Sequence, residues 1–137
     1  MNLYTKESGS GQPMVLLHGN GEDSSYFVNQ ISFFESKYLV IAVDTRGHGR
    51  SPRGRGTFTL ERFADDLKGF LDRRGLRRII LLGFSDGGNI ALIFALKYPG
   101  YVDRLILNGA NLNPFSCQEA LTGEAWASRS AASIVKK

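Results

Sequence analysis

Four stretches of this chain are apolar without alternation: Met14-Val15-Leu16-Leu17, Tyr38 to Val43, Ile79-Ile80-Leu81-Leu82 and Leu105-Ile106-Leu107. A strand with one wet face alternates apolar and polar residues, so short unbroken runs describe strands covered on both faces. Helical patterns lie between them. Asp23-Ser24-Ser25 supplies N-cap oxygens ahead of Tyr26, Phe27, Ile31, Phe33 and Phe34. Thr57 or Thr59 caps a second helix, whose apolar residues Leu60, Phe63, Ala64, Leu67, Phe70 and Leu71 recur at helical spacing until Gly75 stops it. A third runs from Asp86 to Tyr98 and ends at Pro99-Gly100. Leu3 to Glu7 reads as a short strand before the turn Ser8-Gly9-Ser10-Gly11. The alternation predicts an α/β chain: a parallel sheet with helices on both faces, joined by right-handed crossovers.

The 137 residues allow one domain. Its core portion spans 1–115; the character changes near Pro114, and 116–137 is an Ala/Ser-rich tail without a strand pattern. The formal charge of +4 comes largely from arginines, several of them between Arg46 and Arg55. Arg/Gly-rich segments bind single-stranded nucleic acid when aromatic residues supply stacking. None lies within this one, so it reads as a solvated loop and no nucleic-acid partner is expected. The lone Cys117 allows no disulfide within the chain. The first residues lack a signal-peptide pattern, and no apolar run approaches the ~20 residues of a membrane span. A soluble, cytoplasmic protein with no membrane partner is expected.

Ligands of such sheets bind beyond the carboxyl ends of the strands. The unusual polar residues gather there: His18-Gly19-Asn20-Gly21, Asp44-Thr45-Arg46, Ser85-Asp86 and Asn108 to Asn111. Gly83-Phe84-Ser85-Asp86-Gly87 is G-x-S-x-G on a strand–turn–helix, where two glycines permit a strained turn that exposes the hydroxyl. Ser85 is the candidate nucleophile. The glycine-rich turn after the first buried strand leaves backbone N–H groups unpaired. That of Asn20, with Gly21 next, joins the N–H of Asp86 as a candidate oxyanion hole. His18 reads as a loop-bonding structural histidine. Asp44 and His48 would suit an acid and a base, yet the preferred reading is a carboxylate that ties its own turn. Gly19 to Ser24 also imitates a dinucleotide fingerprint, with Asp44 about twenty residues on, but the third glycine is missing. No cofactor or metal is expected.

His18-Gly19, Asp44-x-Arg46-Gly47-x-Gly49-x-Ser51, Gly83-x-Ser85-x-Gly87-Gly88 and Tyr98-Pro99 stand in an order and spacing that resembles the α/β-hydrolase fold superfamily. The resemblance covers about residues 3 to 114. It implies a serine hydrolase of the esterase, lactonase or C–C-hydrolase kind, acting on a small-molecule ester or similar carbonyl bond. Serine in place of aspartate at the elbow argues against epoxide-hydrolase or haloalkane-dehalogenase chemistry. The family's triad continues from serine to an acid and then a histidine, whereas His18 and His48 both precede Ser85 and Asn108 to Asn111 holds no carboxylate. The chain therefore reads as an incomplete α/β-hydrolase fold, its N-terminal portion, without the cap and last strands, with weak activity expected. The strand at Leu105–Leu107 is expected to lie at a bare edge and to invite self-association. A non-catalytic binding or partner module, and nucleotide binding through Gly19 to Ser24, are the alternative readings.

Overall fold

The structure, a computed structural model, describes residues 1–109 and 132–136. Pro114, Cys117 and most of the tail lie outside the described residues. Six strands form one sheet in the order β1-β3-β2-β4-β5-β6. They are β1 (Thr5–Ser8), β2 (Pro13–Leu17), β3 (Leu39–Val43), β4 (Ile79–Phe84), β5 (Val102–Asn108) and β6 (Ala132–Lys136). The four central strands, β3, β2, β4 and β5, run parallel; β1 and β6 pair antiparallel at the two edges.

The unbroken apolar runs are buried on both faces, as expected. Val15, Leu17, Ile41, Val43, Leu81 and Leu105 point to one core, which is closed by α2 (Leu60–Arg74) and α3 (Asp86–Lys97). Met14, Leu16, Val40, Ala42 and Ile80 point to the other core. There the 3₁₀ segment Ser24–Phe27 and α1 (Val28–Phe34) supply Phe27 and Ile31. Helices thus cover both faces. The caps follow local chemistry: Asp23 accepts from Ser25 N–H, and Thr59 accepts from Arg62 N–H. Gly75 ends α2 at φ 65°, a left-handed conformation that glycine adopts without a Cβ clash. Among the described residues no helix is long and apolar enough to cross a membrane.

The far edge departs from expectation. β5 extends well beyond Leu105–Leu107, and its outer side is not bare. The tail, in which no strand was expected, contributes β6, whose register runs from Arg104↔Lys136 to Asn108↔Ala132. An antiparallel partner of five residues satisfies the β5 edge groups that would otherwise template association.

Candidate functional site

The carboxyl ends of β2, β3 and β4 lie side by side, and each carries one of the polar segments singled out in the sequence. At the end of β4 the backbone of Ser85 takes φ 55°, ψ −118°, outside the regions a non-glycine residue normally occupies. Close packing enforces it. A methyl group at Gly83 would sit 2.2 Å from the Gly87 carbonyl oxygen, and one at Gly87 would sit 2.1 Å from that of Leu17. Only hydrogen at both positions lets α3 start directly over the end of β4. The turn is held by Ser85 N–H donating to Asn108 O at 2.9 Å and by Ser85 O accepting from Gly88 N–H at 2.9 Å. Ser85 Oγ does not cap α3.

The loop after β2 is pressed against this turn. A Cβ on Gly19 would lie 3.4 Å from Ser85 Cβ and 3.6 Å from the Phe84 ring. Glu22 N–H donates to Gly19 O at 3.2 Å, closing a turn over Asn20 and Gly21. Among the described residues no hydrogen bond engages the N–H of Asn20 or Gly21. The Asp86 N–H opens α3, where no intrahelical acceptor exists for it. Asn20, Gly21, Ser85 and Asp86 therefore belong to two abutting turns. Tyr26, 41% exposed, stacks on Phe84 with ring centroids 4.7 Å apart.

Both histidines lie in a separate cluster. His18 is 2% exposed, and its Nε2 accepts from Thr45 N–H at 3.1 Å. That acceptor role puts the proton on Nδ1, which donates to Gly19 O at 2.7 Å. Burial, and secondarily the nearby His48, push the His18 pKa below its ordinary value. The Gly19 carbonyl, Asp44 and Asp23 oppose that shift. His48 lies 5.1 Å from His18 between ring centroids, and its Nδ1 is within 3.1 Å of Arg46 O. No hydrogen bond joins either imidazole to Ser85 among the described residues.

Asp44 fastens loops together. One oxygen accepts from Ser24 N–H at 2.6 Å and the other from Arg50 N–H at 2.9 Å. Both oxygens of the acid in the dinucleotide reading are thus turned on the protein's own backbone. Arg46 corrects the solvated-loop reading of 46–55. Its guanidinium is buried and bidentate to Asp66 of α2, at 2.7 and 2.9 Å, while Nη1 donates to the carbonyls of Arg53 and Arg55. The paired carboxylate raises the Arg46 pKa further. Sequence reading had no role for Arg46 or Glu22, although an acid at position 66 on the rim of an apolar helical stripe was a usable signal. Among the described residues no three His, Cys, Asp or Glu side chains gather to hold a metal ion.

Comparison with known proteins agrees with this architecture. A family model described as alpha/beta hydrolase fold matches residues 12–128. The chain belongs to the alpha/beta hydrolase fold family. Among solved structures of this family's neighbours, a thermophilic esterase from Thermogutta terrifontis shares 34% identity with a TM-score of 0.77. That match covers 85% of this chain and 44% of the esterase. An esterase from Exiguobacterium antarcticum shares 36% identity with a TM-score of 0.75, over 79% of this chain and 41% of the other. Among curated relatives, a 2-hydroxy-6-oxononadienedioate/2-hydroxy-6-oxononatrienedioate hydrolase of Paraburkholderia phymatum is 37% identical over 115 residues, 80% of this chain and 40% of the relative. Mouse epoxide hydrolase 4 is 36% identical over 107 residues, 76% and 30% respectively. The chain thus spans less than half the length of each.

Proposed function

We propose that this alpha/beta hydrolase chain carries the nucleophile and oxyanion hole of a serine hydrolase that acts on an ester or similar carbonyl bond of a small molecule. The observation that carries the reading is the strained backbone of Ser85, forced by the contacts of Gly83 and Gly87. Strain of that kind persists where surrounding structure over-determines it, and it holds a hydroxyl out of the helix it begins. Ser85 Oγ attacks the carbonyl carbon and loses its proton to a base. The oxygen that becomes negative receives the N–H groups of Asn20 and Asp86, with Gly21 beside them. Collapse of the tetrahedral adduct breaks the bond to the leaving alcohol, which takes up a proton, and water then releases the acid from the acyl-serine.

His18 is not the base, and no hydrogen bond joins His48 to Ser85 among the described residues. His18 is committed to Thr45 and Gly19, and burial disfavours its charged form. The 137-residue chain acting alone is therefore expected to turn over slowly. Loss of a triad member leaves ~10³–10⁴-fold catalysis over water in well-studied serine enzymes. A fluorophosphonate should label the chain slowly and stoichiometrically, with Ser85→Ala abolishing the label, and p-nitrophenyl acetate hydrolysis should stay low. Labelling that survives Ser85→Ala, or none in either protein, would overturn the nucleophile and favour a non-catalytic binding module. Fast Ser85-dependent turnover would show that a base is supplied within the chain.

A further inference from the structure

Gly19 is the pivot on which the proposed oxyanion donor is mounted. A Cβ there would lie 2.7 Å from Glu22 Oε1, so it would push the carboxylate from its place, and would touch Ser85 Cβ at 3.4 Å. Glycine is also the residue with the widest backbone freedom, so nothing intrinsic aims the following N–H. Glu22 restrains both peptide units that meet at Gly19. Its carboxylate Oε1 accepts from Gly19 N–H at 3.0 Å, which fixes the peptide unit before the pivot. Its own N–H donates to Gly19 O at 3.2 Å and, together with His18 Nδ1–H at 2.7 Å, fixes the unit after it. A peptide unit is planar, and its C=O and N–H point in opposite directions. Anchoring Gly19 O therefore aims Asn20 N–H away from the Glu22 backbone. The carboxylate is half-buried and forms no ion pair among the described residues, so its interaction there is the hydrogen bond from Gly19 N–H.

We propose that Glu22 is a positioning residue, whose side chain holds the Gly19 pivot so that Asn20 N–H is preorganised toward the oxygen that becomes negative. This rests on the reading of Ser85 and Asn20 given above. A carboxylate this close to a developing oxyanion is unfavourable in charge, so the useful property is acceptance of a hydrogen bond. That ordering separates positioning from acid–base chemistry. Glu22→Gln keeps an acceptor oxygen and loses the charge; Glu22→Ala loses both.

The test is the second-order rate of fluorophosphonate labelling of Ser85 in the full chain, with amide NMR and thermal midpoints of the same proteins. Misplacing a preorganised donor costs roughly 10- to 100-fold. Glu22→Ala should lose that much at an unchanged melting temperature, and Glu22→Gln should react at or above the wild-type rate. In Glu22→Ala the Gly19 amide should exchange faster and the Asn20 amide resonance should move. Wild-type reactivity in Glu22→Ala would overturn the proposal, as would equal loss in Glu22→Gln. Failure of the wild-type chain to label at all would instead remove the Ser85 reading. In that case unchanged Gly19 and Asn20 amides in Glu22→Ala would show that the clamp is absent as well.

Discussion

At the scale of single residues, the carboxyl ends of the strands carry two kinds of polar group. Ser85 Oγ and the N–H groups of Asn20 and Gly21 engage no hydrogen-bond partner among the described residues, whereas His18, Asp44, Ser51 and Thr45 are consumed by one another and by the backbone. His18 shows what the second kind contributes. Folded, it is neutral, with Nε2 obliged to accept from Thr45 N–H; protonation would place two donors face to face. Its folded pKa lies below the unfolded value of about 6.5, chiefly through burial. Below that value the unfolded chain binds more protons than the folded one, so stability rises with pH there. The His18 contribution is thus fully present above about pH 6.5 and is lost as pH falls toward the folded value. The carboxylates held low by partners, such as Glu7 and Asp65, lose their contribution only at more acidic pH. Urea midpoints measured between about pH 7.5 and 5 should therefore fall in the wild type and flatten in His18→Gln. Parallel curves for the two proteins would show that His18 is not a source of acid lability.

At the scale of elements, α2 was legible almost to its ends. Its apolar stripe, the Thr59 cap and the Gly75 stop are local patterns, and local patterns survive in sequence. The connection of α2 to the arginine loop was not legible, because it joins Arg46 to Asp66 across twenty positions and looks like ordinary surface charge at each end. In the fold both side chains are only 8% exposed, and the pair pins residues 46–55 to the helix. Removing one member of a buried pair strands the other charge, which costs about 3–5 kcal/mol. Asp66→Ala should lose that much in chemical denaturation. Replacing both, as Arg46→Met with Asp66→Leu, should lose far less than the two single changes summed, because no bare charge remains. Additive losses would mean that the pair is wetter than its burial implies.

For the whole molecule, the central parallel strands were readable because burial on both faces leaves no room for polar residues in Met14–Leu17 or Ile79–Leu82. The elbow was equally readable, since its two glycines are demanded by contacts under 3 Å. The sheet's edges were readable only in part: the short strand expected at Leu3–Glu7 overlaps β1 (Thr5–Ser8), but its antiparallel pairing was not legible, nor was β6. β1 and β6 are antiparallel additions whose pairing depends on distant chain, and β6 meets β5 across 110–131. β1 and β5 also differ in what discourages pairing on their outer sides. β1 is four residues long and carries Lys6 and Glu7, so it is short and charged in the manner of a protected edge. β5 has seven residues, buried at Val102, Leu105 and Leu107, and depends on β6 for cover. Deleting residues 132–137 would bare the peptide groups from Arg104 to Asn108. The shortened chain should then self-associate with rising concentration in sedimentation velocity, while the full chain sediments as one slower species. A charge at the new edge should relieve it: Ile106→Lys in the shortened chain introduces the kind of residue natural edges use against pairing. If the shortened chain sediments like the full one, β6 does not protect β5.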